Sequence, residues 1–205
     1  MTNTITLNGA LTDLPQIPTH RLLLRRLRLD DAADLFAYAS DPAVTATVTF
    51  DTHLSIDDSL AFIRHVVEEY GRGERAAWGI EHRAEKRLIG TIGFTTIRAG
   101  GYVGVAGYAL ARPYWRQGLM TEALGAVVDY GFRHMGLRRI EATCGVDNIG
   151  SYRVMEKVGM QLDGILRDAH YVKGRLITVR LHSILRRDYE RAYRSDGVGR
   201  LPPPA

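Results

Sequence analysis

The stretch from Val103 to Met135 constrains the fold of this 205-residue chain more than any other. Val103 to Leu110 is an apolar run of strand length, Arg112-Pro113 breaks it, and a helical pattern begins at about Leu119 and continues to Met135. The connection is Tyr114-Trp115-Arg116-Gln117-Gly118, followed by Leu119-Met120-Thr121-Glu122-Ala123. Helix-initial N–H groups lack intrahelical partners, and the macrodipole puts partial positive charge there, so such a turn receives an anion without a dedicated basic pocket. Gly118 lets a ligand approach the backbone closely, and Arg116 adds a formal charge.

The rest of the chain alternates in a way that fits an α/β or α+β protein with a mixed sheet. Arg21 to Arg25 reads as a strand, and Asp30-Asp31 opens a helix through Tyr38 that stops at Asp41-Pro42. Ser55-x-x-Asp58 starts a second helix, with Ile56, Leu60, Ile63, Val67 and Tyr70 as its apolar stripe and Gly71 as its end. Strands follow at Ala76 to Ile80, Leu88 to Phe94 and Val103 to Leu110, an antiparallel meander by their short, charged or Gly-rich connections. After the anion-binding turn and its helix come a strand over Arg139 to Val146, a helix from about Asn148 to Val158 closed by Gly159, and a final pair, Leu162 to Tyr171 and Arg175 to Leu185. That pair turns at Lys173-Gly174. The segment before about residue 16 and the Pro-rich end read as a loose arm and a tail, leaving a single domain over 1–205 with a folded core of about 18–194.

Composition excludes several classes. With 45% apolar and 24% charged residues the chain is ordinary for a globular protein, and no run approaches the length that spans a bilayer. The amino end lacks a secretory pattern, so a cytoplasmic location and no membrane partner are expected. Cys144 is the sole cysteine, which rules out an intrachain disulfide and a thiolate metal cluster; an apolar strand setting makes it a buried residue. The seven histidines show no zinc-ligand spacing, so no metal is expected. The +4 net charge is carried mainly by arginines scattered along the chain. Arg186 to Arg194 mixes signs as a solvated terminal helix does, and direct nucleic-acid binding is not expected.

The string Tyr114-Trp115-x-x-Gly118-x-Met120-Thr121-Glu122-Ala123 resembles the GNAT superfamily of acetyl-CoA-dependent N-acetyltransferases, within it the branch that acetylates the N-termini of ribosomal proteins. The superfamily motif is Gln/Arg-x-x-Gly-x-Gly/Ala; here Gly118 matches, while Trp115 and Met120 depart at the first and last positions. A second block, Asn148-Ile149-Gly150-Ser151 followed by Glu156-Lys157-Val158-Gly159-Met160, fits the same branch thirty residues downstream. The resemblance implies a twisted, mostly antiparallel mixed sheet flanked by about four helices in the order β-α-α-β-β-β-α-β-α-β-β. It implies acetyl-CoA as acyl donor, transferred by direct attack in a ternary complex to a primary amine, foremost a protein N-terminus. A small amine acceptor, such as an antibiotic, amino acid or polyamine, is an alternative, and a non-catalytic acyl-CoA sensor is another. Oligomeric state is open, a homodimer included.

By the same resemblance, backbone groups of Tyr108, Ala109 and Leu110 would meet the pantetheine arm and the acetyl carbonyl. Backbone N–H groups of Arg116, Gln117, Gly118, Leu119, Met120 and Thr121 would take the pyrophosphate. Asn148 matches the asparagine that hydrogen-bonds pantetheine and also suits a helix N-cap. Ser151 matches the serine proposed to protonate or hydrogen-bond the departing sulfur; hydroxyls are weak acids, so an orienting donor is the first reading. Met155 occupies the position where other GNAT enzymes carry a tyrosine acid. His170, nineteen residues after Ser151, stands where this branch has a glutamate base, and Glu141 is the competing base; a surface histidine and a cross-strand ion-pair partner are the structural alternatives for the two. Thr178 stands where the branch often has aspartate, and His182 where it often has tyrosine. Trp78, Tyr114, Trp115 and Tyr171 could line a substrate slot, although strand aromatics belong more often to the core.

Overall fold

Strand β2 (Leu22–Arg25) shows how sequence builds the sheet: Leu22 and Leu24 point to one face and are fully buried. The computed structural model describes residues 14–72, 76–98, 100 and 102–195. Besides β2 the strands are β1 (Ile17–Pro18), β3 (Ala76–His82), β4 (Arg87–Arg98), β5 (Val103–Leu110), β6 (Arg139–Gly145), β7 (Gln161–Val172) and β8 (Arg175–Leu185). The helices are α1 (Ala32–Ala39), α2 (Pro42–Thr45), α3 (Ile56–Arg72), α4 (Leu119–Arg133), α5 (Ile149–Lys157) and α6 (Arg186–Ser195). These strands form one sheet in the order β1-β2-β3-β4-β5-β6-β8-β7. The expected succession of elements is present, with a short edge strand and a one-turn helix added, and the terminal helix read over Arg186 to Arg194 follows β8.

The differences have local causes. The expected arm falls largely outside the described residues, but its end is engaged: Leu14 is buried, and Pro15 offers its carbonyl to the indole N–H of Trp78, a donor that full burial obliges to find an acceptor. Asp41-Pro42 ends α1 and starts α2, since Pro suits the first helical position and the Asp41 carboxylate accepts from the Ala43 N–H at 2.9 Å. α3 runs through Gly71, which keeps helical φ, to Arg72. Its buried stripe is Ser59, Ile63, Val66 and Tyr70, rotated by about one residue from the expected one, so Ile56 and Val67 are exposed. Adjacent valines at 66 and 67 make that phase ambiguous in sequence. Asp58 accepts from the Leu54 and Ser55 N–H groups, closing the α3 start as the Ser55-x-x-Asp58 pattern implied.

Two layers of helix enclose the sheet. α1 meets one face, where the Tyr38 hydroxyl reaches Thr91. α4 lies on the other face, its Gly131 so close to Phe94 and Ile140 that a methyl there would come within 2.8–2.9 Å of their side chains. Trp78 packs edge-on against Tyr130 of α4 at 5.3 Å, a core role. The terminal helix α6 is docked, with Tyr189 buried against Phe132 and bonded to Asp129 and Arg133.

The topology that matters for function is the β5–β6 junction. These neighbours are parallel, whereas every other pair in the sheet is antiparallel. They pair only at Val103 with Arg139, Gly104 with Ile140 and Val105 with Glu141. Beyond that point β5 continues against β4 as far as Leu110, and β6 continues against β8 as far as Gly145. The two strands therefore part, and a cleft opens toward their C-terminal ends, where an α/β sheet places its ligands.

Candidate active site

The turn after β5 ends directly at this cleft. Arg112-Pro113-Tyr114 makes a single 3-10 turn, and the Trp115 indole returns to donate to the Leu110 carbonyl at 2.7 Å, pinning the loop to the strand end. Arg116 and Gly118 both hold left-handed φ, 61° and 74°. For Gly118 this costs nothing; for Arg116 it costs about 1–2 kcal/mol, a local strain that turns successive peptide units at the mouth of α4. Gly118 is the N-cap, and the first-turn N–H groups of Leu119, Met120 and Thr121 follow it. The Gln117 side chain is committed elsewhere, donating to the Pro113 carbonyl at 2.8 Å. With that side chain engaged, the backbone N–H groups at the mouth of α4 remain for a ligand, a pattern suited to an anion.

Three further groups meet at the top of α5. Asn148 caps the helix, its Oδ1 accepting from the Ser151 N–H at 3.1 Å, which leaves its amide NH2 able to donate outward. The Ser151 hydroxyl lies 2.9 Å from the Tyr108 hydroxyl, which also donates to the Ser151 carbonyl at 3.1 Å. Tyr108 belongs to β5 and Ser151 to α5, so this pair spans the cleft. Burial raises the Tyr108 phenol above its ordinary value, keeping it protonated. Cys144 on β6 lies close by, buried as expected, with its thiol pushed up by desolvation. A helix N-terminus with open N–H groups, a slot between parted strands and a hydroxyl pair across it are parts of the kind needed to seat a long thioester and activate its carbonyl.

A family model for the acetyltransferase (GNAT) domain matches residues 21–161. The chain belongs to the GNAT acetyltransferase family. It is 35% identical over 172 residues to the uncharacterized N-acetyltransferase YoaA of Bacillus subtilis, covering 84% of this chain and 97% of that protein. It is 31% identical over 99 residues to the ribosomal-protein-serine acetyltransferase of Escherichia coli, covering 48% of this chain and 55% of that one. Among solved structures, an acetyltransferase of the GNAT family from Bacillus anthracis superposes with a TM-score of 0.76 at 28% identity, over 84% of this chain and 99% of that one. The protein is thus an acetyl-CoA-dependent N-acetyltransferase of GNAT type. The loop and cleft fit that donor.

The two candidate bases of this GNAT chain lie in different surroundings. Glu141 is buried at the closed end of the cleft, where one carboxylate oxygen bonds Arg98 and the other accepts from Arg139 at 2.9 Å. Arg139 also reaches Asp163 at 2.5 Å and Ser183 at 2.8 Å, so Glu141 belongs to a network that ties β4, β6, β7 and β8 together. His170 is exposed on β7 next to a register shift, paired through its backbone with Ile177, and no hydrogen bond or ion pair engages its side chain among the described residues. Among the remaining aromatics, Tyr114 bonds Glu85, Trp115 is half exposed, and Tyr171 is 73% exposed on the outer strand. Among the described residues no cluster of histidine, cysteine and carboxylate side chains could hold a metal.

Sequence reasoning missed the side chains that support the site. Tyr108 was read for its backbone alone; its hydroxyl became visible only when folding set residues 108 and 151 side by side. Tyr152 of α5 packs against two β8 residues: Arg180 lies 4.6 Å from its ring centroid and His182 is stacked at 6.4 Å. Arg180 also donates to the Val146 carbonyl. Nothing in the linear spacing marks these partners.

Proposed function

We propose that this protein transfers acetyl from acetyl-CoA to the N-terminal amine of a protein, by direct attack within a ternary complex. The observation that carries the reading is the parting of β5 and β6 after Val105 and Glu141, with the diphosphate cradle at its mouth and the Tyr108–Ser151 pair across it. The pantetheine arm lies in the gap, bonded by backbone groups of Tyr108, Ala109 and Leu110 and by the Asn148 amide. The N–H groups of Arg116 to Thr121 take the pyrophosphate. A neutral amine attacks the thioester carbonyl, β5 backbone N–H groups hold the developing oxyanion, and CoA departs as thiolate, a leaving group that needs little protonation at neutral pH.

In this reading Ser151 orients the departing sulfur, and Tyr108 fixes the Ser151 hydroxyl. Tyr108 holds its proton tightly, so it acts by position and not as an acid. Glu141 has both oxygens occupied by guanidinium groups and serves the sheet. His170, exposed on β7 with no side-chain hydrogen bond or ion pair among the described residues, takes the ammonium proton through water in this reading. A protein N-terminus as acceptor is supported by the sequence strings around Gly118 and Ser151 and by the Escherichia coli relative named for ribosomal-protein-serine acetylation.

The acceptor is tested by mass spectrometry of peptides incubated with acetyl-CoA and the protein. The expected product carries one acetyl group on the α-amine and none on lysine, and N-formylated peptides are inert. Turnover confined to polyamines, amino acids or aminoglycosides would replace the acceptor while leaving the donor chemistry intact.

A further inference from the structure

The loop before α4 is held by a residue from the turn between β1 and β2. Arg21, just before β2, donates its backbone N–H to Glu122 Oε1 at 2.7 Å and its Nε to Glu122 Oε2 at 2.8 Å. Thr19 adds a third donor to the same carboxylate at 2.6 Å. Arg21 Nη1 then reaches the Gln117 carbonyl at 2.8 Å, and a methyl on Gly118 would sit 3.6 Å from Nη2. The guanidinium thus lies against the backbone of the two residues that open α4.

We infer that Arg21 is a positioning residue for the CoA pyrophosphate, acting on both the shape and the charge of the cradle. The inference rests on the pyrophosphate assignment proposed above. Peptide planarity sets the shape. The Gln117 carbonyl and the Gly118 N–H share one trans peptide and point in opposite directions, so a guanidinium that takes the carbonyl on one side aims the N–H out of the other. The charge is set by Glu122, an acid in the first turn of the helix that receives the dianionic diphosphate in this reading. Hydrogen bonds from Thr19 and Arg21 outweigh its partial burial and hold its carboxyl below the ordinary range, so it is ionised at neutral pH. Left bare, that carboxylate would repel the ligand; the Arg21 fork neutralises it and keeps it turned away.

The test is isothermal titration of wild type and variants with CoA and, separately, with pantetheine, which has the arm but no phosphates. Arg21→Ala should weaken CoA at least tenfold and leave pantetheine unchanged. Glu122→Gln alone should leave CoA affinity within about twofold, and Glu122→Gln added to Arg21→Ala should restore part of the loss, because it removes the repelling charge. A folded Arg21→Ala with wild-type CoA affinity would overturn the inference, as would equal weakening of CoA and pantetheine or a double variant worse than either single one. If wild type binds CoA no better than pantetheine, the pyrophosphate assignment itself fails, and the role of Arg21 with it.

Discussion

Arg25 illustrates how much a single side chain carries here. It is buried, forks onto Asp31 at 2.7 and 2.8 Å, and donates Nε to Glu81 at 2.6 Å, so one guanidinium serves two buried carboxylates. Removing it strands both, and Arg25→Ala should cost about 3–5 kcal/mol of unfolding free energy, read as the shift in urea midpoint. At the site, Tyr108→Phe removes a hydrogen bond worth about 1 kcal/mol from Ser151. It should lower kcat roughly fivefold, by that free-energy change, with KM for acetyl-CoA unchanged in steady-state assays. His182 is buried under Tyr152 with Nδ1 lacking a hydrogen-bond partner, and desolvation holds its pKa below the usual imidazole value. A lowered folded-state pKa gives stability that is present above about pH 6.5 and drains as pH falls toward the folded value. Thermal stability should therefore decline between pH 7 and pH 5, and His182→Phe should flatten that part of the profile. None of these roles was legible in sequence. Arg25 and Glu81 are 56 positions apart, as Tyr108 and Ser151 are 43, and only the sheet brings them together.

At the scale of elements the sequence said far more. Strands β5 and β8 have the boundaries their residues imply, and Asn148 caps α5 as its residue type suggests. Periodicity and turn chemistry are local, and so survive folding unchanged. It failed where two elements share one signal: Asp41-Pro42 is both a stop and a start, and paired valines blur the phase of α3. Strand spacing is likewise invisible in sequence. Gly93 faces Gly107 across β4 and β5, yet their surroundings differ. A methyl at Gly93 would meet the Ala76 carbonyl oxygen at 2.1 Å, whereas at Gly107 it would meet only the Thr95 methyl at 2.8 Å. Backbone cannot yield as a side-chain tip does. Gly93→Ala should cost at least 2 kcal/mol or prevent folding, and Gly107→Ala under about 1 kcal/mol, as compared by denaturant titration.

In the whole molecule the sheet is a frame that parts at one junction and stays paired elsewhere. The Glu141 network binds four strands at the closed end, the loop clamped by Arg21 sits at the open end, and the Tyr108–Ser151 pair lies between. Composition limited the class of protein, and two short strings around Gly118 and Ser151 pointed to the donor. The acceptor depends on the shape of the surface around the cleft, which residue types do not encode. The most direct test of the account is thiol release from acetyl-CoA, followed with and without an N-terminal peptide at saturating donor. Free CoA should appear only when the peptide is present and should fall sharply in Ser151→Ala. Release that is independent of the amine, or none with any peptide while CoA binding is intact, would contradict it.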